Sequence, residues 1–116
     1  MTTRQERVNE LLKEEISDIV RREIKDPRIG FITITGADVT KDLRHANVYV
    51  SVLGDDQQKS ESLAILQRAA GFIRGEIGRR VHIKIVPEIN FKLDTAVEHG
   101  VRIFELLQQV KTDEQE

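Results

Sequence analysis

The spacing of apolar residues predicts a long amphipathic helix at the start of the chain. Between Thr3 and Lys25, apolar side chains recur every three or four residues, which is the repeat of a helix with one buried face. Thr3 and Glu6 fit a capping box, in which the hydroxyl accepts from an early backbone N–H and the carboxylate reaches back. Asp26-Pro27 predicts the helix end, because the residue before a proline avoids helical geometry.

Two stretches of alternating character follow and predict an antiparallel hairpin. In residues 29–39, the side chains alternate between two faces, with Ile32 and Ile34 on one of them. Gly36 within this stretch indicates a bulge or bend. Residues 45–53 place one Ala and three Val on one face and mixed polar side chains on the other. The short polar loop between the two stretches joins neighbouring strands, and the single apolar face indicates a sheet covered on one side.

The next apolar pattern has helical spacing and is interrupted by small residues. It follows a polar loop at 54–58 and runs from Leu63 to Ile77, with Ala69-Ala70-Gly71 in its middle. Two further glycines weaken the second half, each by about 1 kcal/mol relative to Ala. The pattern therefore predicts either one helix held by packing or two helices that meet at a kink.

Alternation returns at Val81–Val86 and predicts a third strand. A helical crossover connects it to the second strand, so the two are parallel if they are adjacent. Pro87 cannot donate to a ladder, which indicates a sheet edge or a bulge there. Thr95 with Glu98 repeats the capping-box signature and predicts a last helix over 96–110.

The order of elements predicts a two-layer α+β domain. A helix is followed by two strands, a helix–kink–helix, a third strand and a last helix. This order places the helices on one face of a three-stranded mixed sheet. We expect one domain over residues 1–111 and a short polar tail at 112–116, since 116 residues suit a single domain.

Charge distribution adds more than net charge does. The chain carries a formal net charge of −2. Residues 66–92, however, contain six Lys or Arg against two Glu, a local net of +4 that leaves −6 for the remainder. A protein that is nearly neutral overall can still present a positive face to phosphates. The basic residues near Lys25, at the end of the first helix, are explained either as cations favourably placed at the dipole's negative end or as part of that face.

Several functional classes lack their signatures. There is no Cys, and three scattered His have no ligand-like spacing, so we expect no metal or cofactor. No apolar run approaches the roughly 20 residues of a membrane span, and the N-terminus has no signal-peptide core; both favour a soluble cytoplasmic protein. Neither a nucleophile elbow nor a Gly-rich phosphate loop occurs, so we do not expect an enzyme.

Four segments together carry a resemblance to a known family. They are KDPRIGFITIT at 25–35, DLRHANVYVSVL at 42–53, AAGFIRGEIG at 69–78 and IKIVPEINF at 83–91. The order and spacing of these segments resemble those of bacterial ribosome-binding factor A, and the resemblance extends from Arg4 to about Leu107. The resemblance implies a KH type II-like domain in which Ala69-Ala70-Gly71 replaces the Gly-rich loop that usually clamps the nucleic-acid backbone.

This resemblance also implies a function. Such proteins bind the free 30S small ribosomal subunit and its 16S rRNA late in assembly. They assist processing of the 16S 5′ end, support growth in the cold and catalyse no reaction. A ribosome-associated GTPase is implicated in their release, and we expect a monomer. Many members carry a longer basic C-terminal extension, whereas this chain has an acidic tail, so functions of that extension are not carried over.

The candidate RNA-binding residues combine the kink with the basic side chains around it. A kink made of small residues lets an RNA backbone approach closely, the start of the second helix offers N–H groups to a phosphate, and Lys and Arg supply salt-sensitive attraction. Alternatively, the small residues only permit close helix–sheet packing. The candidates are Arg22, Lys25, Arg28, Arg68, Ala69, Ala70, Gly71, Arg74, Arg79, Arg80 and Lys84.

Two other functions remain as alternatives. The domain could act chiefly through proteins, with the basic side chains only making it soluble, or it could be a small hydrolase, although no catalytic constellation assembles. Salt-sensitive association with free small subunits distinguishes RNA binding from both.

Overall fold

The computed structural model of the chain describes residues 3–94. Within them, three helices and a three-stranded mixed sheet form an α+β fold, as predicted. The predicted last helix at 96–110, its capping box at Thr95 and Glu98, and the tail at 112–116 lie outside the described residues. The elements are α1 (Arg4–Glu23), β1 (Phe31–Val39), β2 (His45–Leu53), α2 (Asp56–Arg68), α3 (Ala70–Arg80) and β3 (Glu88–Leu93).

The first helix begins where its capping signal predicts. The Thr3 hydroxyl accepts a hydrogen bond from the Glu6 backbone N–H at 3.1 Å, which satisfies one of the N-terminal donors left without an intrahelical partner. The helix ends at Glu23, two residues before the predicted Lys25, and the chain is already extended at Ile24. The apolar stripe of α1 packs into the core.

The sheet has β2 at its centre. β1 pairs with β2 in antiparallel register and β3 pairs with it in parallel. The register shifts between Ile34 and Gly36, which confirms the predicted bulge, and the intervening Thr35 donates its hydroxyl to the carbonyl of Tyr49 at 3.2 Å. Alternate β2 residues, such as Val48 and Val50, are fully buried under the helices.

The predicted position of the third strand is wrong. The strand is Glu88–Leu93, after Pro87 rather than before it, and residues 81–86 form a connection. Its pairing begins where the Glu88 N–H donates to the carbonyl of Arg44 at 2.8 Å. Since Pro87 directly precedes the strand, its missing N–H leaves no ladder bond unmade. Residues 81–87 are needed to carry the chain from the end of α3 to the start of β2.

The helix–kink–helix is confirmed, and its core side is fully buried. α2 ends at Arg68 and α3 begins at Ala70. Ala69 lies between them in helical geometry, with φ −83° and ψ −4°. Its N–H donates to Ile65 at 3.0 Å, and its carbonyl accepts from Ile73 at 2.9 Å. The backbone of Ala69 therefore bonds to both helices, which fixes the kink as a stiff joint.

Candidate nucleic-acid interface

Two observations show how α3 lies against α1. At the C-terminal end of α3, an Arg80 Nη atom lies 2.6 Å from an Asp18 oxygen and 3.4 Å from a Glu15 oxygen. At the residue before the kink, Arg68 borders the same recess as Arg28, which lies just after α1. The two helices therefore run antiparallel, and the kink lies beside the loop that follows α1. We call residues 25–28 and 68–71 the kink region.

The kink region brings together two of the predicted arginines. Arg28 and Arg68 border a shallow recess of about 210 Å³ whose wall includes Ala64 and Glu61 of α2. Asp26 fixes the Arg28 guanidinium, with Nη2–Oδ2 at 2.8 Å and Nε–Oδ1 at 3.1 Å. This paired hydrogen bonding presents Arg28 in a single orientation, but the two acidic residues offset part of its charge.

Asp26 is held in its charged form by this contact. The Arg28 side-chain hydrogen bonds, followed by the bond from the Arg28 backbone N–H, lower the pKa of Asp26 from 3.8 to about 2. The same pairing raises the pKa of Arg28. The turn at 26–28 is therefore tied by a carboxylate that stays ionised at any physiological pH.

We expect Asp26 to make the stability of the fold depend on pH in the acid range. Because its folded-state pKa is depressed to about 2, its stabilising contribution is complete above its unfolded value near 4 and is lost as the pH falls toward 2. Asp26→Asn should lower the thermal midpoint at pH 7, and its midpoint should converge with that of the parent chain as the pH falls through this window. Circular dichroism melts at half-unit pH steps measure this.

Arg28→Gln provides the control for the pH experiment. It removes the side-chain donor that is the largest cause of the shift and leaves the backbone N–H of residue 28 in place, so adding Asp26→Asn to it should change the thermal midpoint less. A difference between parent and Asp26→Asn that stays constant from pH 7 to pH 2 would contradict the assignment of the shift to this pair.

Arg80 is directed into the fold rather than toward a ligand. Its side chain is only 25% exposed and lies between Asp18 and Glu15 of α1, with Glu76 of α3 at 3.8 Å. The Asp18 hydrogen bond raises the pKa of Arg80, and the same bond lowers that of Asp18. Of the predicted residues, Arg80 therefore acts first as a link between α1 and α3.

The remaining predicted cations differ in their partners. Arg22 shares Asp18, with Nε–Oδ1 at 2.9 Å. Arg79 pairs with Glu76 one turn earlier in α3. Arg74 donates through Nε and Nη2 to the carbonyl of Val86, at 3.1 and 3.0 Å. Lys25 and Lys84 are exposed, and the structure shows neither in an ion pair with another residue in the range 3–94. The three arginines are thus engaged by a carboxylate or a carbonyl, whereas the two lysines are exposed.

The small residues at the kink differ in their surroundings. Ala69 and Ala70 are half-buried and pack against the core. Gly71 is exposed, and a methyl group in place of its hydrogen would meet no heavy atom within 4 Å. Packing therefore explains the two alanines but not the glycine, which leaves open backbone surface at the start of α3.

Sequence reasoning missed an exposed aromatic residue and a second concavity. Phe72 is 46% exposed on the first turn of α3. Its position one residue before the buried Ile73 was a signal, since it falls off the apolar stripe of that helix. The concavity, of about 340 Å³, is bordered by Arg74 of α3 and by Arg44, which directly precedes β2. Arg44 lies far from Arg74 in sequence, so no local pattern indicated it.

Other kinds of site find no support in residues 3–94. No group of three or more His, Asp or Glu side chains in that range is arranged to hold a metal ion. None of the helices described there is both long enough and apolar enough to cross a membrane.

Comparison with known proteins gives a consistent result. The family model described as ribosome-binding factor A matches residues 4–107. Proteins named ribosome-binding factor A from Desulforamulus reducens and Desulfitobacterium hafniense are 51% and 56% identical to this chain. These alignments cover 98% and 97% of this chain, and 95% and 90% of the respective relatives.

Solved structures share the fold. The crystal structure of ribosome-binding factor A from Thermus thermophilus superimposes with a TM-score of 0.69 at 22% identity, over 78% of this chain and 97% of that one. A homology model of the Thermus thermophilus protein, fitted into a cryo-EM map of a 30S–RbfA complex, gives a TM-score of 0.63 at 24% identity, over 75% and 91% of the two chains.

Proposed function

The chain belongs to the ribosome-binding factor A family, and on that premise we propose that it binds the free 30S ribosomal subunit and assists its late maturation without catalysing a reaction. The observation that carries the proposal is the family match across residues 4–107. The placement of a Thermus relative of the same fold in a 30S complex supports it. The kink region supplies a surface of suitable chemistry.

The finer parts of the proposal concern what binding accomplishes. We propose that the protein contacts 16S rRNA, favours maturation of its 5′ end and matters most in the cold, when misfolded rRNA rearranges slowly. It acts in the cytoplasm as a monomer, without a cofactor, and a ribosome-associated GTPase promotes its release.

The interface we propose is centred on the kink region. Arg68 and Lys25 supply exposed positive charge, Arg28 supplies an oriented guanidinium, and Gly71 allows the RNA backbone to approach α3 closely. Phosphate contacts of this kind make binding depend on salt. Arg22, Arg74, Arg79 and Lys84 extend the surface outward, whereas Arg80 positions α3 through its contacts with α1.

Sedimentation of cell extract tests the proposed function. At low salt the protein should co-migrate with free 30S subunits rather than with 70S ribosomes, and it should leave the subunits as salt is raised from about 50 to 200 mM. Recovery only in the light fractions at low salt would contradict the proposal. Association that does not change with salt would favour binding through ribosomal proteins.

Gly71 separates the packing role of the kink from its binding role. Gly71→Ala should preserve the fold and stabilise it by up to about 1 kcal/mol, because the new methyl group meets no heavy atom within 4 Å and Ala is the better helix former. Gly71→Leu should also fold but should bind 30S subunits several-fold more weakly, since its side chain occupies the approach path. Urea unfolding and subunit binding are the two measurements.

The Gly71 prediction has a control at a second glycine of the same helix. Gly75→Ala adds the same methyl group one turn later, and binding should then stay near that of the parent chain. If Gly71→Leu binds 30S subunits as tightly as the parent, the RNA backbone does not approach the protein at this position.

A further inference from the structure

The outer edge of β1 is an edge of the sheet, and α1 closes it at one end. Within residues 3–94, β1 pairs with β2 on one side and with no strand on the other. The Thr40 N–H donates across the hairpin to the carbonyl of His45, so the backbone groups of the preceding Val39 point outward. Two side chains of α1 satisfy them: Asn9 accepts from the N–H at 2.9 Å, and Gln5 donates to the carbonyl at 3.2 Å.

The other end of β1 directs its backbone groups outward without such partners. The carbonyl of Val50 accepts from the residue after β3, so the neighbouring Ser51 bonds in the opposite direction, toward its partner Thr33 on β1. The N–H and C=O groups of Ile32 and Ile34, on either side of that residue, therefore point outward. In the described part of the chain, no side chain of α1 bonds to them. Such a row of free strand groups is a template for another strand.

A groove of about 620 Å³ follows this open part of the edge. Every residue from 29 to 34 borders it, and Ser17, Val20 and Arg21 of α1 form the facing wall. Side chains alternate between the two faces of a strand, so an unbroken run of lining residues means that the groove opens onto the backbone edge of β1. The run spans roughly 20 Å when extended, which suits a segment of similar length. We call this concavity the edge groove.

An added strand would meet apolar side chains on both of its faces. Val20 of α1 borders the edge groove on the helix side. Phe31 borders it too, faces away from the helices and is 83% exposed. Aromatic and β-branched side chains on neighbouring strands stabilise each other. The edge groove therefore favours an extended segment that carries β-branched side chains.

Positive charge lies on the wall formed by α1. Arg21 borders the edge groove, and its side chain is 73% exposed. Its partner Asp18, at 2.9 Å, also pairs with Arg22 and Arg80, so Asp18 compensates only part of the charge of Arg21. A carboxylate on the incoming segment would complete the compensation. A second copy of this chain, paired edge to edge, would instead bring its own Arg21 close to the first.

We propose that the edge groove binds an extended, acidic and apolar segment of a partner protein, which adds to the sheet as a strand beside β1. Main-chain hydrogen bonds to Ile32 and Ile34 hold the segment. Its β-branched side chains pack on Val20 and Phe31, and a carboxylate pairs with Arg21. The edge groove shares no residue with the kink region, so this proposal is independent of RNA binding.

Amide hydrogen exchange in the full chain tests the proposal. The probe is a synthetic peptide of alternating Val and Thr with Glu at each end. At saturation it should slow exchange of the Ile32 and Ile34 N–H groups on the order of tenfold, and the Val39 N–H, which Asn9 already engages, should not change. The same peptide with methylated backbone nitrogens should have no effect. Unchanged exchange at Ile32 and Ile34 with millimolar unmethylated peptide would overturn the proposal.

Charge reversals at two neighbouring arginines provide a matched pair. Both Arg21 and Arg22 lie on α1 and pair with Asp18 at 2.9 Å, but of the two Arg21 alone borders the edge groove. Arg21→Glu should weaken binding of the peptide on the order of tenfold, and Arg22→Glu should change it much less. A peptide with Lys in place of Glu should bind Arg21→Glu better than the parent chain. Equal weakening by the two reversals would contradict a carboxylate site at Arg21.

Two further outcomes would give the edge groove a different occupant and overturn the proposal. One is slowed exchange at Ile32 and Ile34 in concentrated protein without peptide, together with dimers in sedimentation equilibrium. The other is the same slowing on addition of an oligouridylate. All of these measurements use protein without ribosomes, so their failure leaves the proposed binding to the small subunit standing.

Discussion

Replacing Arg68 and Lys25 together by Glu should weaken binding to free 30S subunits by about tenfold or more without unfolding the protein. Both side chains are exposed beside the kink, and each reversal turns an attraction to phosphate into a repulsion. The salt dependence of binding should also become shallower, by about one unit of slope for each phosphate that the variant no longer neutralises. Binding at several salt concentrations, with circular dichroism as a check on folding, measures both effects.

A matched pair of charge reversals at the opposite end of β1 serves as the control. Arg7→Glu with Lys41→Glu changes the net charge by the same amount. Arg7 and Lys41 lie near the end of β1, where Gln5 of α1 donates to the carbonyl of Val39 at 3.2 Å. This variant should bind nearly as well as the parent. Equal weakening in the two variants would show that binding responds to total charge and not to the kink region.

The largest effect on stability is expected from Ile73→Ala in α3. Ile73 is fully buried in the core just after the kink, so the substitution removes buried methyl groups and leaves a cavity. We expect a loss of about 2–5 kcal/mol, a large fraction of the roughly 5–15 kcal/mol that typical domains possess. Urea denaturation followed by circular dichroism gives the free energy of unfolding.

The adjacent residue is the control for this prediction. Phe72→Ala removes a larger side chain from the same helix, but Phe72 is 46% exposed and the described residues do not show it packing on the core cluster. Its removal should lower the free energy of unfolding by no more than about 1 kcal/mol. Comparable destabilisation in the two variants would mean that α3 is rotated so that Phe72 also faces the core.

The elements that sequence patterns predicted well are those fixed by local signals. β2 occupies the predicted residues 45–53 because strict alternation and the flanking turns act within that stretch. The bulge at Gly36 and the cap at Thr3 likewise depend on near neighbours. The kink at Ala69 followed from three small residues inside a helical pattern, although the pattern alone also allowed one continuous helix.

The error in β3 arose because apolar residues alternate on both sides of Pro87, at 83 and 85 before it and at 89, 91 and 93 after it. Only the pairing with β2 distinguishes them: Ile89 aligns with Ala46 and Phe91 with Val48, which places both large side chains in the core. This choice depends on where α3 ends relative to β2. That distance is set by the packing of the helices and is not encoded locally.

Local spacing predicts only part of the candidate site. The pairing of Arg22 with Asp18 follows from their spacing of four residues. The contact of Arg80 with Asp18, however, joins residues 62 positions apart. The sequence therefore indicated a positive strip, whereas tertiary contacts direct Arg80 into α1 and leave Arg28 and Arg68 together at the kink.

The most direct test of the central claim is a photocrosslink from the kink region to rRNA. Ala64 is exposed and borders the recess with Arg28 and Arg68, so a photoreactive phenylalanine can replace it without disturbing the core. We predict that irradiation with free 30S subunits crosslinks position 64 to 16S rRNA, while the same group at position 41 gives little or no product. Crosslinking from position 41 alone, or only to ribosomal proteins from position 64, would contradict the claim that this protein contacts small-subunit RNA through its kink.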